Sequence, residues 1–151
     1  MLEKSFSEVY MKFKLHFYKS LFEKIQNRET SLTTVETFCI EIIYAMNNPT
    51  VSEFAQFIQI SSPNAAYKVN SLIKKGYLRK VQSESDKREY HLEVTEKYLN
   101  YYNISSSYVT NVVNRMKDRF DDEQLKVFED VLSITAKELM TELDEISEIK
   151  V

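Results

Sequence analysis

Apolar residues recur every three or four positions from the start of the chain. Phe6, Tyr10, Phe13, Phe17, Leu21 and Ile25 line one side of a predicted helix. Val9, Leu15, Tyr18 and Phe22 widen that stripe beyond what one small neighbour covers, which points to a second chain as part of its cover. A second helix is expected in RETSLTTVETFCIEIIYAMNNP, with Val35, Phe38, Cys39, Ile42, Ile43 and Met46 inward and Asn47, Asn48 and Pro49 as its stop. In TVSEFAQFIQI, Thr50 and Glu53 have capping-box spacing ahead of Phe54, Ala55, Phe57 and Ile58, so a short helix follows. Ser62 as N-cap and Pro63 as first helical residue open the next helix, whose inward residues are Ala66, Val69, Leu72 and Ile73. Gly76 supplies its left-handed end, with Lys74 and Lys75 at the negative pole.

YLRKVQ and EYHLEV then read as a two-stranded hairpin around the charged loop SESDKR, anchored by Leu78, Val81, Leu92 and Val94. From Thr95 the pattern is helical again. Tyr98, Tyr101, Tyr108, Val112 and Met116 mark one helix, and Leu125, Phe128, Leu132, Leu139 and Ile146 a last one with near-heptad spacing, as expected of lengthwise packing or a partner subunit.

Composition supports a mainly helical fold. One Gly and two Pro in 151 residues leave little material for the many tight turns of an all-β chain, and 43% apolar residues argue against disorder. A single cysteine excludes an intrachain disulfide framework and a multi-cysteine zinc site. The opening MLEKSFSEVYMKFKLHFYKS carries no signal-peptide apolar region, and the apolar runs are short for a bilayer, so a soluble cytoplasmic protein without membrane partners is expected.

Charge is sorted along the chain. Residues 61–95 hold seven Lys/Arg against four Asp/Glu, a local +3, while the remainder carries thirteen basic and nineteen acidic residues, a net −6. A sorted positive region suits a polyanion, although a solvated face is the commoner cause of a charge run.

Two short helices, the second basic, followed by a charged hairpin make a helix-turn-helix with a wing. Asn64, Tyr67, Lys68 and Ser71 share one face of the second helix, opposite its apolar set. Asn can bond adenine, Lys can bond guanine or phosphate, and the N–H groups beside Ser61 and Ser62 can bind phosphate. Equally, such a face is simply the wet side of a surface helix. The hairpin favours DNA: Lys87 and Arg88 lie at its tip, where a cation can enter the electronegative minor groove, and Asp86 is spaced to brace Arg88.

The stretch TVSEFAQFIQISSPNAAYKVNSLIKKGYLRKVQSESDKREYHLEVTEK resembles the winged helix-turn-helix of the MarR family of bacterial transcription regulators, and the flanking helices follow that family's order over nearly the whole chain. The wing pattern is the most specific part: Asp-x-Arg followed by Leu-x-Leu-Thr appears as Asp86, Arg88, Leu92, Val94 and Thr95, with Val94 replacing a Leu. LIKKGYL, Leu72 to Leu78, is also family-like, whereas Tyr98 stands where many members have Gly.

The resemblance implies a single domain over 1–151, with 32–95 as the winged DNA-binding part and 1–28 and 96–151 as helical dimerisation parts. It also implies a homodimeric regulator, expected to be a repressor, on a pseudo-palindromic operator. Ser61, Ser62, Asn64, Tyr67, Lys68, Ser71, Lys75, Lys87 and Arg88 would contact DNA, with Asp86 supporting the wing. A small aromatic or amphipathic effector would sit near Phe13, Phe17, Tyr44 and Tyr101, although aromatics at helical spacing are more often core or interface. The rival reading is a winged-helix protein-interaction module. Cys39 falls among apolar residues and is expected to be core rather than a redox sensor. His16 and His91 have no nearby Cys or His at ligand spacing, no phosphate-cradling glycine loop exists, and no nucleophile pairs with a base, so neither cofactor, metal nor enzymatic activity is expected.

Overall fold

The computed structural model describes residues 1–151 apart from 29 and 147, and the side chains of 102–105 fall outside the description. Among the described residues the main elements are α1 (Leu2–Gln26), α2 (Thr34–Ala45), α3 (Val51–Phe57), α4 (Ser62–Lys74), β1 (Leu78–Gln82), β2 (Tyr90–Val94), α5 (Glu96–Arg119) and α6 (Asp122–Ile134). They fall into two compact units, one formed by residues 1–105 with 149–151, the other by 106–148.

The first unit is a winged helix-turn-helix. Its core joins Ile40 and Ile43 of α2, Phe54 of α3, Val69 and Leu72 of α4, Leu92 of β2 and Tyr98 at the start of α5, all fully buried. Strands β1 and β2 pair antiparallel with Leu78 opposite Val94 and Gln82 opposite Tyr90. The pair is extended by a bridge between Thr50 and His91, and Leu92 N–H donates to the Pro49 carbonyl at 2.8 Å. The hairpin is thereby pinned to the α2–α3 connection rather than standing free.

Local chemistry sets the helix boundaries. At Thr33–Glu36, Thr50–Glu53 and Asp121–Gln124, the N-cap side chain accepts from the fourth residue's N–H while that residue's side chain returns to the N-cap N–H. Each such box is worth about 1 kcal/mol. The α4 cap is Ser61, one residue earlier than expected, so Pro63 occupies the second helical position. Asn64 N–H reaches Ser61 Oγ at 3.4 Å, and the Ser61 carbonyl accepts from Ala65 N–H.

A chain with one glycine still needs left-handed residues to end its helices. Arg28, Asn47 and Gln59 take φ of 54°, 56° and 54° after α1, α2 and α3, and Gly76 takes 83° after α4. After α3, Ile60 N–H donates to the Ala55 carbonyl and Gln59 N–H to Gln56. After α4, Tyr77 N–H donates to Leu72 and Gly76 N–H to Ile73. These are Schellman closures, which satisfy the terminal carbonyls whatever residue occupies the turn.

Two expectations are corrected. Val35 and Phe38 point outward at 53% and 42% exposure, while Thr37 and Ile40 are buried. Because α2 is apolar nearly all round, contact with α4 and β2 selects its buried side. The last helix was expected to run to Ile146, but its α-helical part stops at Ile134. Thr135 Oγ1 donates to the Val131 carbonyl at 2.7 Å, a π-helical turn spans Thr135–Leu139, and Met140 leaves the helical region at φ −107°, ψ 60°.

Both units expose large apolar side chains. On α1 they include Leu2, Phe6, Val9, Tyr10, Leu15 and Phe22. In the second unit Val113, Val127, Phe128, Val131, Leu132 and Leu139 are exposed, and an apolar hollow of about 650 Å³ is lined by Val113, Met116, Leu125, Phe128 and Leu132.

Two substitutions test the helix-end account. Gln59→Gly should raise unfolding free energy by up to about 1 kcal/mol, because it removes the left-handed strain of a side-chain-bearing residue. Gly76→Ala should lower it by about 1 kcal/mol for the same reason. An added Cβ there would meet Lys97 Cδ only at 3.9 Å, so no clash enters. Urea titration reads both, and a neutral Gly76→Ala would contradict the account.

Candidate nucleic-acid interface

Helix α4 is amphipathic in the sense a groove-reading helix requires. Ala65, Val69 and Leu72 are buried, whereas Asn64 is exposed and Tyr67 is 78% exposed. Lys68 is half-buried on the same outward side. The C-terminal end of the helix is tied down from α5: Lys97 Nζ donates to the Lys75 carbonyl at 2.8 Å, and Thr95 Oγ1 donates to the Gly76 carbonyl at 2.6 Å. Tyr77, just beyond, is buried under the Lys97 ammonium at 4.4 Å. Its hydroxyl meets Thr30 Oγ1 at 3.2 Å and accepts from Ser31 N–H at 3.4 Å.

The wing presents the second cationic element. Asp86 accepts from the Arg88 backbone N–H at 2.9 Å, from Nε at 3.2 Å and from Nη2 at 3.1 Å. Asp86 thus braces Arg88 as its spacing suggested. The Arg88 side chain is 91% exposed, and its hydrogen bonds hold the Asp86 carboxyl below its ordinary range. Gln82 Nε2 donates to the Lys87 carbonyl at 2.6 Å, and Ser83 N–H to the Glu89 carbonyl at 2.9 Å, so short-range bonds shape the tip. His91 Nδ1 lies 2.9 Å from the Asn48 carbonyl, tethering β2 to the turn before α3. A cleft of about 550 Å³ between the start of α3 and the wing is lined by Thr50, Ser52, Lys80, Asp86, Arg88 and Tyr90.

Glu36 is the residue of this region that sequence reasoning missed. From the first turn of α2 it reaches two residues expected on the DNA face: Ser71 Oγ donates to Oε1 at 2.6 Å and Lys75 Nζ to Oε2 at 2.6 Å. Lys75 also donates to the Ser31 carbonyl at 2.8 Å. Burial raises the Glu36 carboxyl pKa, but the hydrogen bonds from Lys75, Ser71 and Thr33 outweigh it and lower it from 4.5 to about 2. The Thr33-x-x-Glu36 spacing, identical to the Thr50-x-x-Glu53 spacing that was read, was the available signal.

The residues expected around an effector lie on three helices of the first unit. Phe13 and Phe17 are half-buried on α1, the Tyr44 ring lies 5.6 Å from that of Tyr98 at a tilt of 55°, and the buried Tyr101 ring lies 6.2 Å from Tyr98. The Lys24 ammonium sits 4.1 Å over the Tyr101 ring. Nearby, burial pushes the Glu41 carboxyl up to about 7 against the opposing effect of Lys24. Cys39 is buried, as expected, and burial raises its thiol pKa. Among the described residues no group of three or more His, Cys, Asp or Glu is placed to hold a metal, and no helix is long and apolar enough to cross a membrane.

Residues 32–90 match the model of the MarR family. The fold is similar to a MarR family protein from Bacillus stearothermophilus, at 17% identity and TM-score 0.63 over 91% of this chain and 92% of that one. It is similar also to a transcriptional regulator from Thermotoga maritima, at 17% identity and TM-score 0.62 over 95% of both chains. Streptococcus pneumoniae FabT, solved in complex with DNA, superposes at 20% identity and TM-score 0.51 over 89% of this chain and 96% of its own. No curated protein gives a significant match.

The lowered pKa of Glu36 makes a signed prediction. Its stabilising contribution is complete above pH 4.5, the unfolded value, and is lost as pH falls toward the folded value of about 2. Glu36→Gln should therefore reduce stability at pH 7 by on the order of 2 kcal/mol. The difference from the unaltered protein should shrink on acidification. A gap that stays constant across that pH range in denaturant titrations would refute the assignment.

Proposed function

We propose, from the MarR-family character of residues 32–90, that this chain is a sequence-specific double-stranded DNA-binding transcription regulator, acting as a homodimeric repressor in the bacterial cytoplasm. The observation that carries the reading is the pairing, within one unit, of an exposed polar face on α4 with a wing whose Arg88 is braced by Asp86. Asn64, Tyr67 and Lys68 would meet base edges in the major groove, where amide and cationic side chains can discriminate base pairs. Ser61, Ser62 and Lys87 would contact phosphates, and Arg88 would enter the minor groove. Ser71 and Lys75 lie on the same face but are held by Glu36.

Within a single domain spanning 1–151, residues 32–95 would bind DNA while 1–28 and 96–151 associate two copies. The exposed apolar side chains of α1 and of the second unit support that division, since patches of this kind mark association surfaces. A two-fold dimer would place its two α4 helices in successive major grooves, with half-sites about one helical turn apart. The DNA complex of FabT, a protein of similar fold, supports the same mode of action. Release would follow binding of an aromatic or amphipathic molecule beside Phe13, Phe17, Tyr44 and Tyr101, provided it binds one spacing of the two α4 helices better than the other. No chemical step is assigned to the chain.

Affinity for the duplex upstream of its own gene, measured against a scrambled duplex over several salt concentrations, tests the reading. A strong preference with a steep loss of affinity on adding salt is expected, with a two-fold symmetric footprint and a drop of about tenfold or more for Arg88→Ala. Equal, weak and salt-insensitive binding to both would favour a winged-helix protein-interaction module instead. For the effector, aromatic and fatty acids should raise the melting temperature of the protein, and a flat response to both classes would count against that site.

A further inference from the structure

Ser71 and Lys75 stand one helical turn apart on the outward side of α4, the spacing of residues that would read a groove together. Both are already occupied from within the protein. Ser71 Oγ and Lys75 Nζ each lie 2.6 Å from an oxygen of Glu36, and Lys75 makes a further bond of 2.8 Å to the Ser31 carbonyl. The carboxylate is itself anchored, because Thr33 N–H donates to Oε2 at 2.8 Å and Glu36 is the third residue of α2. Its side chain is 12% exposed and that of Lys75 29%, so water screens the pair only in part.

For Lys75 to grip a phosphate it would have to exchange one anion for another. It would leave behind a largely buried carboxylate stripped of its cation, the costly half of breaking such a pair. Short charge-assisted bonds to a fixed acceptor are also the strong class of hydrogen bond. Apolar packing of Ala65, Val69 and Leu72 holds α4 down but is non-directional, whereas these bonds fix its rotation against α2.

We propose that Glu36 is a specificity-determining positioning residue: it withholds Ser71 and Lys75 from the nucleic acid, cancels the charge of Lys75, and leaves Asn64, Tyr67 and Lys68 as the base-reading set of α4. The proposal rests on the DNA-binding function assigned above. Its consequence is a sharper discrimination between sequences. A phosphate contact strengthens binding to every duplex alike, so cancelling one cation lowers non-specific affinity without touching base readout.

The test uses the full-length protein and an operator duplex selected by it from a random pool, with a scrambled duplex as competitor. Glu36→Gln retains a capping residue at the third helical position. It should free Lys75 for a phosphate, steepening the slope of log affinity against log salt by about 0.9. The operator-to-scrambled ratio should fall several-fold. Glu36→Gln combined with Lys75→Gln removes a pair whose charges cancel, so its salt slope should equal that of the unaltered protein. If Lys75 instead contacts phosphate in the complex, Glu36→Gln will leave the slope unchanged and the double variant will make it shallower by about 0.9, overturning the proposal. A merely structural role for Glu36 would lower the melting temperature with no change of slope in either variant, and that result also overturns it.

Ser71→Ala provides an arm independent of the Glu36 variants' stability. The selected consensus should stay the same, whereas relaxed preference at one base pair would place Ser71 on DNA and refute the proposal. Failure of the unaltered protein to enrich any sequence would remove the DNA-binding function before any variant is compared.

Discussion

One carboxylate joins the start of α2 to the exposed helix of the winged unit. Glu36 closes the capping box that starts α2, accepts from Ser71 and Lys75 on α4, and through Lys75 is linked to the Ser31 carbonyl in the α1–α2 connection. Hydrophobic burial can press α4 against α2 and β2 but resists sliding and rotation poorly. Hydrogen bonds of 2.6 Å from two residues a turn apart resist both, because each is directional. The same end of the helix is held by a second device, the left-handed turn at Gly76, whose carbonyl accepts from Thr95 while that of Lys75 accepts from Lys97. Helix α4 is thus tied at its C-terminal end and exposed at Asn64 and Tyr67.

The same geometry changes how the charge of the segment should be counted. Residues 61–95 carry seven cations, yet Lys75, Arg79 and Arg88 are paired with Glu36, Glu93 and Asp86. The three pairs are not equivalent. Asp86 and Arg88 are neighbours on an exposed tip, so their pairing orients a guanidinium that stays accessible. Glu36 and Lys75 are largely shielded, so theirs subtracts a charge from the surface. An acidic chain can present a positive face only where cations outnumber the carboxylates that reach them, and that is decided by contacts rather than by composition.

Apolar exposure follows a parallel logic. In the first unit a small core of Ile40, Ile43, Phe54, Val69, Leu72, Leu92 and Tyr98 closes around the helix-turn-helix, while α1 contributes only Leu21 and Lys24 to the buried set. The rest of its aromatic stripe and the exposed residues of α6 have the composition of surfaces that are covered in an assembly. The first unit therefore closes a core of its own around the helix-turn-helix, while α1 and the second unit keep apolar side chains exposed.

What the sequence determined by itself were features fixed by residues close together along the chain. The Thr50–Glu53 helix start, the Gly76 turn, the hairpin and the Asp86–Arg88 brace each depend on groups within a few positions, so spacing alone exposes them. Tertiary structure decided the rest. The buried side of α2 went to Thr37 and Ile40 rather than Val35 and Phe38, since a helix apolar on most sides has no preferred face until a neighbour supplies one. Left-handed Arg28 and Gln59 were invisible because neither residue type announces that conformation, whereas Asn47 belongs to the Asn47–Asn48–Pro49 stop that the sequence does mark. Glu36, finally, meets Ser71 and Lys75 across 35 and 39 residues, and no periodicity in a sequence records an encounter made by folding.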